Sequence, residues 1–362
     1  MLEQYIKTQK MQQIYSKHAG RKLTTIALLS FLLFAVMLVS TAVGAASINT
    51  ADVVKVIINK AFGLSYHYKN QLAEPIVLQL RLPRILLAVI TGVALAGAGA
   101  VMQAILHNPL VSPYTLGMSG AASLGAAIGI VLGRSVPGSY FKIAGHYIVA
   151  LNAFLFGFLT IFLVIGLARI KGTSPETLIL AGVALGYIFS AGVSALKYFS
   201  KEEALKDLVV WLMGGMWGAS WKIIALLAPL VFISLALLFA FAWDMNVLMA
   251  GEEVAKSLGI NVKRLQFITL TIATLAASAS VAFTGVIGFI GLVAPHVARR
   301  MVGNDNRFLI PCAALMGALM LLLSDTLART IIAPVELPVG IITGLVGGPY
   351  FLYMLLRKKS YY

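Results

Sequence analysis

Long apolar stretches separated by short polar breaks dominate the chain. One runs from Leu23 to Ala46, a second from Arg81-Leu82-Pro83-Arg84 to His107, and a third from Gly117 to Gly133. Others occupy 146–168, 177–199, 222–243, 267–284, 286–302, 308–326 and 338–356. Most are long enough to cross ~30 Å of hydrocarbon as a helix. The pattern therefore predicts an all-α, polytopic membrane protein with about ten transmembrane helices. The seventh and eighth meet at Thr284-Gly285 with almost no loop, so one of them is expected to be short or broken. Between the first two spans, Val53, Val54, Ile57, Ile58 and Phe62 form a stripe against Lys55 and Lys60. That pattern suits either an amphipathic helix lying in the membrane interface or a connecting loop with some helix.

A polar island, Asp244 to Gln266, interrupts this apolar background. Within it Val254 and Leu258 fall on one helical face, and Glu252 and Lys256 are spaced for an i,i+4 ion pair. Gly259 sits where a short helix would end, and a second short turn is expected from Asn261. These features predict a folded docking element on a membrane surface.

Composition strengthens the membrane reading. Only 11% of the 362 residues are charged and 60% are hydrophobic, with mean hydropathy +0.92, against roughly 25% charged in soluble domains. The net charge of +15 comes from basic residues scattered between apolar runs, a pattern of membrane topology and not of a nucleic-acid face. The single cysteine, Cys312, allows neither an internal disulfide nor a Cys-rich metal site. The first apolar run follows about twenty residues and exceeds the usual 7 to 15 residues of a signal-peptide core, so it is expected to be a retained span. With the N-terminus inside, 16 of the 28 lysines and arginines are cytoplasmic. Both termini, an N-terminal extension (1–22) and the island at 244–266 are then cytoplasmic, and a single ten-helix domain spans 23–357. The second and seventh spans enter from opposite sides, which would permit an inverted repeat.

Candidate chemistry is sparse. No GxxxxGK[ST] phosphate loop, GxSxG elbow or HExxH helix occurs, so neither nucleotide hydrolysis nor intramembrane catalysis is expected of this chain. His18, His67, His107, His146 and His296 lack metal-site spacing. Asp325 follows an apolar run and precedes Arg329 by one helical turn, leaving open a structural ion pair or a proton relay. Arg81, Arg84 and Arg329 share the outer face in this topology, as separate interfacial anchors or as a docking surface for an acidic partner. GVIGFIGLVAP (285–295) would make a poor helix, so it is expected to be buried in protein or to line a cavity. WLMGGMWGASW (211–221) suits an interfacial gate or an aromatic belt.

RLPRILLAVITGVALAGAGAVMQAILHNPLVSPYTLG, LILAGVALG, WLMGGMWGASW, GEEVAKSLGI, GVIGFIGLVAPHVARRMVGNDNRFLIP, and SDTLAR followed by ELPVGIITGLVGGPYF together strongly resemble the FecCD-type permeases of ABC importers for iron-siderophores, haem and vitamin B12. The likeness covers about residues 30 to 357. It implies a non-catalytic permease of a bacterial or archaeal cytoplasmic membrane, working as a homodimer or related heterodimer. Two cytoplasmic ATPase subunits, which use the ATP and Mg, and an external substrate-binding protein complete the machine; no cofactor is implied for this chain. Carried over residue by residue, ATPase coupling maps onto two short helices containing Gly251, Glu252, Glu253, Ala255, Leu258 and Gly259, with the flanking turn to Arg264. Binding-protein docking maps onto Arg81, Arg84 and Arg329. Iron-siderophore is the expected cargo because that branch is the most populous. The rival is an ion-gradient-driven secondary transporter using Asp325.

Overall fold

The apolar stretches fold as helices close to the expected boundaries. A computed structural model describes residues 2–44, 49–63, 70, 72–135, 139–171 and 174–356, and no strand occurs among them. The elements are α1 (Leu2–Ala42), α2 (Thr50–Phe62), the single turn α3 (Ala73–Pro75) continuing as a π-helical turn (Ile76–Arg81) into α4 (Leu82–Ile105), then α5 (Met118–Ser135), α6 (Ser139–Lys171), α7 (Pro175–Tyr198) and α8 (Glu202–Met213). There follow α9 (Trp221–Ala240), the short α10 (Ala242–Met249) and α11 (Glu252–Ser257), α12 (Val262–Thr284), α13 (Ile290–Val302), α14 (Asn306–Thr330) and α15 (Val339–Leu356). Among the described residues, seven helical segments are long and apolar enough to cross a membrane, and Met118–Gly133 and Val339–Met354 are shorter apolar helices. Helix α13 supplies the tenth segment.

The expectation of a short eighth span is met. Helix α13 has 13 residues, only about 20 Å of rise. Ahead of it the chain is non-helical from Gly285, with φ of 69° there and 67° at Phe289. The Tyr114 hydroxyl holds this break open, donating to the Ile287 carbonyl at 2.7 Å and accepting from the Ile287 amide at 3.0 Å.

Helix α4 is the axis of the bundle. It packs against α14, α13, α12 and α9, and nearly every residue from Leu87 to Ile105 is buried. Side chains would keep such neighbours apart, so glycine occupies both closest crossings. A Cβ on Gly92 would strike the Gly317 carbonyl of α14, and one on Gly99 would strike the Gly291 carbonyl of α13. Backbone-to-backbone approach of this kind is how helices associate where burial from water no longer drives them together.

Three expectations change. The first span continues N-terminally without a break, because α1 begins at Leu2. The side chains of Lys7, Lys10 and Lys17 lie outside the described residues, as do Arg357, Lys358 and Lys359. The segment between the first two spans does form a helix, but its packed face carries Val53, Val56 and Ile57 against Ala73 and Val77, while Val54 and Phe62 are exposed. Asn261 starts no separate turn: its side chain caps α12 by accepting from the Arg264 amide at 3.0 Å, so the long helix begins at Val262.

Candidate functional site

The polar island folds into α10, α11 and the first turn of α12. Gly251, with φ of 128°, turns the chain between the two short helices. Helix α11 ends in a Schellman motif, in which the Ile260 amide donates to Ala255 O and the Gly259 amide to Lys256 O, both at 3.0 Å, with Gly259 at φ 82°. Lys256 lies 3.2 Å from Glu252 and 3.0 Å from Glu253. Beneath the helix Ala255 is buried, whereas Val254 is 44% and Leu258 65% exposed. Glu252, Glu253, Gly259 and Arg264 are exposed as well. The element therefore presents an apolar pair ringed by charges of both signs.

Helix α10 anchors this element to the bundle. The Asn246 amide donates to Asp305 Oδ1 at 2.7 Å, and its carbonyl oxygen accepts from the backbone and side-chain nitrogens of Asn306 at 2.8 and 2.9 Å. One turn earlier the Arg307 guanidinium lies over the Trp243 ring at 5.0 Å, while pairing with Asp305 at 2.7 Å. His107, at the end of α4, is 3.1 Å from the Leu248 carbonyl through Nε2. Asp305 is the hub: burial opposes its ionisation, but hydrogen bonds from Arg307 and Asn246 and the Arg307 charge outweigh that and hold its pKa at about 2.

A second charged cluster lies towards the other end of α14, centred on Asp325 about 30 Å from Asp305 along the helix. Asp325, fully buried, has Arg84 Nε at 2.9 Å and Arg329 Nε at 3.1 Å, and Arg84 also pairs with Glu336 at 2.6 Å. Arg81 Nη1 donates to the carbonyls of Thr41 and Ala42 at 2.7 and 3.0 Å, and Arg329 donates to those of Val43 and Ser40 at 3.3 Å each. Two cations thus cap the C-terminal carbonyls of α1, where the helix dipole favours positive charge. The expectation that Arg81, Arg84 and Arg329 present an outer surface is corrected. Arg81 and Arg329 are 5% and 3% exposed, and the carboxylates that draw Arg84 and Arg329 inward belong to this chain. Of the two readings of Asp325, the structure has the ion pair.

Between these ends, a cleft of about 500 Å³ opens between α5 and α7, with Tyr114, Ser119, Ser123, Gly186, Ser190 and Lys197 among its walls. Gly182, Gly186, Ser190 and Ser194 form one i,i+4 row on α7. The spacing is visible in the sequence, but it reads equally as an internal packing row, so the cleft went unpredicted. The Trp211–Trp221 segment joins α8 to α9, and Trp221 Nε1 donates to the Leu78 carbonyl of the π-helical turn at 2.8 Å. Among the described residues no group of three His, Cys, Asp or Glu side chains is arranged to hold a metal.

The profile of the FecCD transport family matches residues 32–357. The chain belongs to the FecCD transport family. It is 37% identical to the Fe(3+)-citrate import system permease YfmE of Bacillus subtilis, over 92% of this chain and 95% of that one. It is 40% identical to the hemin transport system permease HmuU of Yersinia pestis, over 78% and 84%. A solved structure described as an inward-facing metal-chelate-type ABC transporter aligns with TM-score 0.78 and 31% identity, over 92% of this chain and 99% of that one. As a FecCD permease, the chain is the multi-pass, non-catalytic subunit of an importer for iron chelates, haem or vitamin B12 in the cytoplasmic (inner) membrane. ATP hydrolysis belongs to a separate subunit, and a substrate-binding protein completes the assembly.

Both charged clusters of this FecCD permease give tests. Asp325→Asn leaves two buried guanidiniums without their shared carboxylate, an effect of about 3–5 kcal/mol for a broken buried pair. A large fall in the thermal unfolding midpoint of the purified chain is expected, whether or not any partner is present. For Asp305 the folded pKa of about 2 lies below the ordinary 3.8. Its stabilisation is therefore complete above about pH 4 and is lost as pH falls through about 2. Unfolding midpoints measured from pH 5 down to pH 2 should show the gap between wild type and Asp305→Asn closing with acid.

Proposed function

We propose that the chain is the membrane-spanning half of an ATP-driven importer in which α11 is the point where the ATPase pushes. The observation that carries this reading is the exposed Val254–Leu258 pair on a helix tied to the core from beneath. A hydrophobic anchor with a charged rim suits a protein interface. Gly251, Glu252, Glu253, Ala255, Gly259 and Arg264 shape and surround that contact. ATP and Mg are handled by the partner, and no cofactor is assigned to this chain. The excess of basic residues at the Asp305 end supports placing that end, with both termini, in the cytoplasm.

Two copies of the chain enclose the path in this proposal. The Gly182–Ser194 row and the open cleft beside it support a protein neighbour at that face, since small residues let helices approach closely in a membrane. Closure of the ATPases then moves α10 and α11, and through Asn246 and Asp305 the long α14, alternating access between the two sides. At the Asp325 end, docking of an acidic external partner narrows to Arg84, the most exposed of the three arginines with 12% of its side chain accessible. An iron-siderophore is the proposed cargo, as the most populous branch of the family. The secondary-transporter alternative loses its coupling acid, because Asp325 is held between Arg84 and Arg329.

The test is the double substitution Val254→Asp, Leu258→Asp in the complex reconstituted with its ATPase. Charging the centre of the contact is expected to lower substrate-stimulated ATP turnover by at least about tenfold, within the range of interface hot spots, while the permease alone unfolds at its normal temperature. Unchanged stimulated turnover with normal assembly would contradict the role of α11.

A further inference from the structure

A second cavity, of about 330 Å³, opens where α6, α7 and α12 meet at the Asp305 end of the bundle. Its rim carries Arg169 and Lys263, and its floor is Ile165, Leu178, Phe267 and Leu270. Both cations are exposed, and neither enters an ion pair among the described residues. The three helices hold a single carboxylate between them, Glu176. That group is fully exposed and already accepts hydrogen bonds from Ser174 and its own backbone at the start of α7. Two positive charges therefore face a cavity that no acidic residue lines.

The shape of the cavity decides what kind of anion fits. Arg169 lies over the Phe267 ring at 6.0 Å, which leaves the edges of its planar guanidinium able to meet two oxygens of one phosphate. Lys263 supplies a compact second charge across the opening. From Lys263 to Leu270 the wall of α12 descends about 10 Å, passing from the charged rim by the Gln266 amide to the apolar Phe267 and Leu270 of a helix that crosses the membrane. A soluble anion would use the rim and leave the floor wet. A molecule with a phosphate head and a hydrocarbon tail covers both.

We propose that this cavity binds an anionic membrane phospholipid, its phosphate held by Arg169 and Lys263 and an acyl chain lying along Ile165, Leu178 and Leu270. Basic pockets between membrane helices on the cytoplasmic side are suited to such headgroups. The site adjoins the first turn of α12, which follows α11 directly, so the bound lipid braces the base of the short-helix element. Its cytoplasmic placement rests on the topology proposed above, whereas the site itself stands apart from the role given to α11.

The purified chain is reconstituted into vesicles of phosphatidylcholine alone or of equal parts phosphatidylcholine and phosphatidylglycerol, and the lipid retained after mild extraction is counted by native mass spectrometry. Wild type is expected to retain phosphatidylglycerol. Lys263→Gln should weaken retention about fivefold, and Arg169→Gln with Lys263→Gln about 25-fold, from roughly fivefold per cation near a membrane surface. Unfolding midpoints in phosphatidylcholine should be the same for all three proteins; if the double variant does not fold, the single one carries the test. Equal retention by wild type and a folded variant would overturn the proposal and leave the cavity to a protein contact. Displacement of phosphatidylglycerol by millimolar inorganic phosphate would overturn it in favour of a free anion.

Discussion

A helix withdrawn from lipid on almost every side must let its neighbours approach to backbone distance, and the rest of the bundle depends on α4 doing so. Glycine at Gly92 and Gly99, facing Gly317 and Gly291, makes that approach possible. Contacts this close leave little room for continuous deformation, because packed interiors yield by discrete rearrangement. The frame formed by α4, α13 and α14 therefore moves as a unit or not at all.

The two charged clusters occupy opposite ends of that frame. At one, Asp305 starts α14 and, through Asn246, fastens α10 to it. At the other, Asp325 draws Arg84 of α4 and Arg329 of α14 together, while Arg81 and Arg329 hold the last carbonyls of α1. In the proposed mechanism, a displacement applied at α11 reaches α14 through the hydrogen bonds that Asn246 makes to Asp305 and Asn306. The exposed surface of α11 is left free for the contact proposed for it, and the buried Arg81 and Arg329 hold helices together.

Much of this was legible in the sequence, and the remainder has a common physical reason for escaping. Local periodicity and turn chemistry place the spans, the stop at Gly259, the Glu252–Lys256 pair and the shortened α13, since each depends on neighbours within a few residues. Arg329 and Asp325 are likewise one turn apart. The partners of Arg81 and Arg84 are some 40 and 240 to 250 residues away, so an arginine near a membrane surface reads as an anchor or a docking group until the fold supplies its carboxylate. Asn246 and Asn306, about sixty residues apart, carried no signal at all. Asn261 misled for a different reason: a good N-cap announces a helix start but not the helix length.

In the mechanism we propose, motion passes from α11 to the membrane helices through the Asn246–Asp305–Asn306 junction. It is tested most directly by counting substrate molecules moved per ATP hydrolysed in the reconstituted importer carrying Asn246→Ala. With the junction cut and the α11 surface intact, the ATPase should still bind and hydrolyse ATP while the transport-to-hydrolysis ratio falls severalfold. An unchanged ratio in a normally assembled complex would contradict the account.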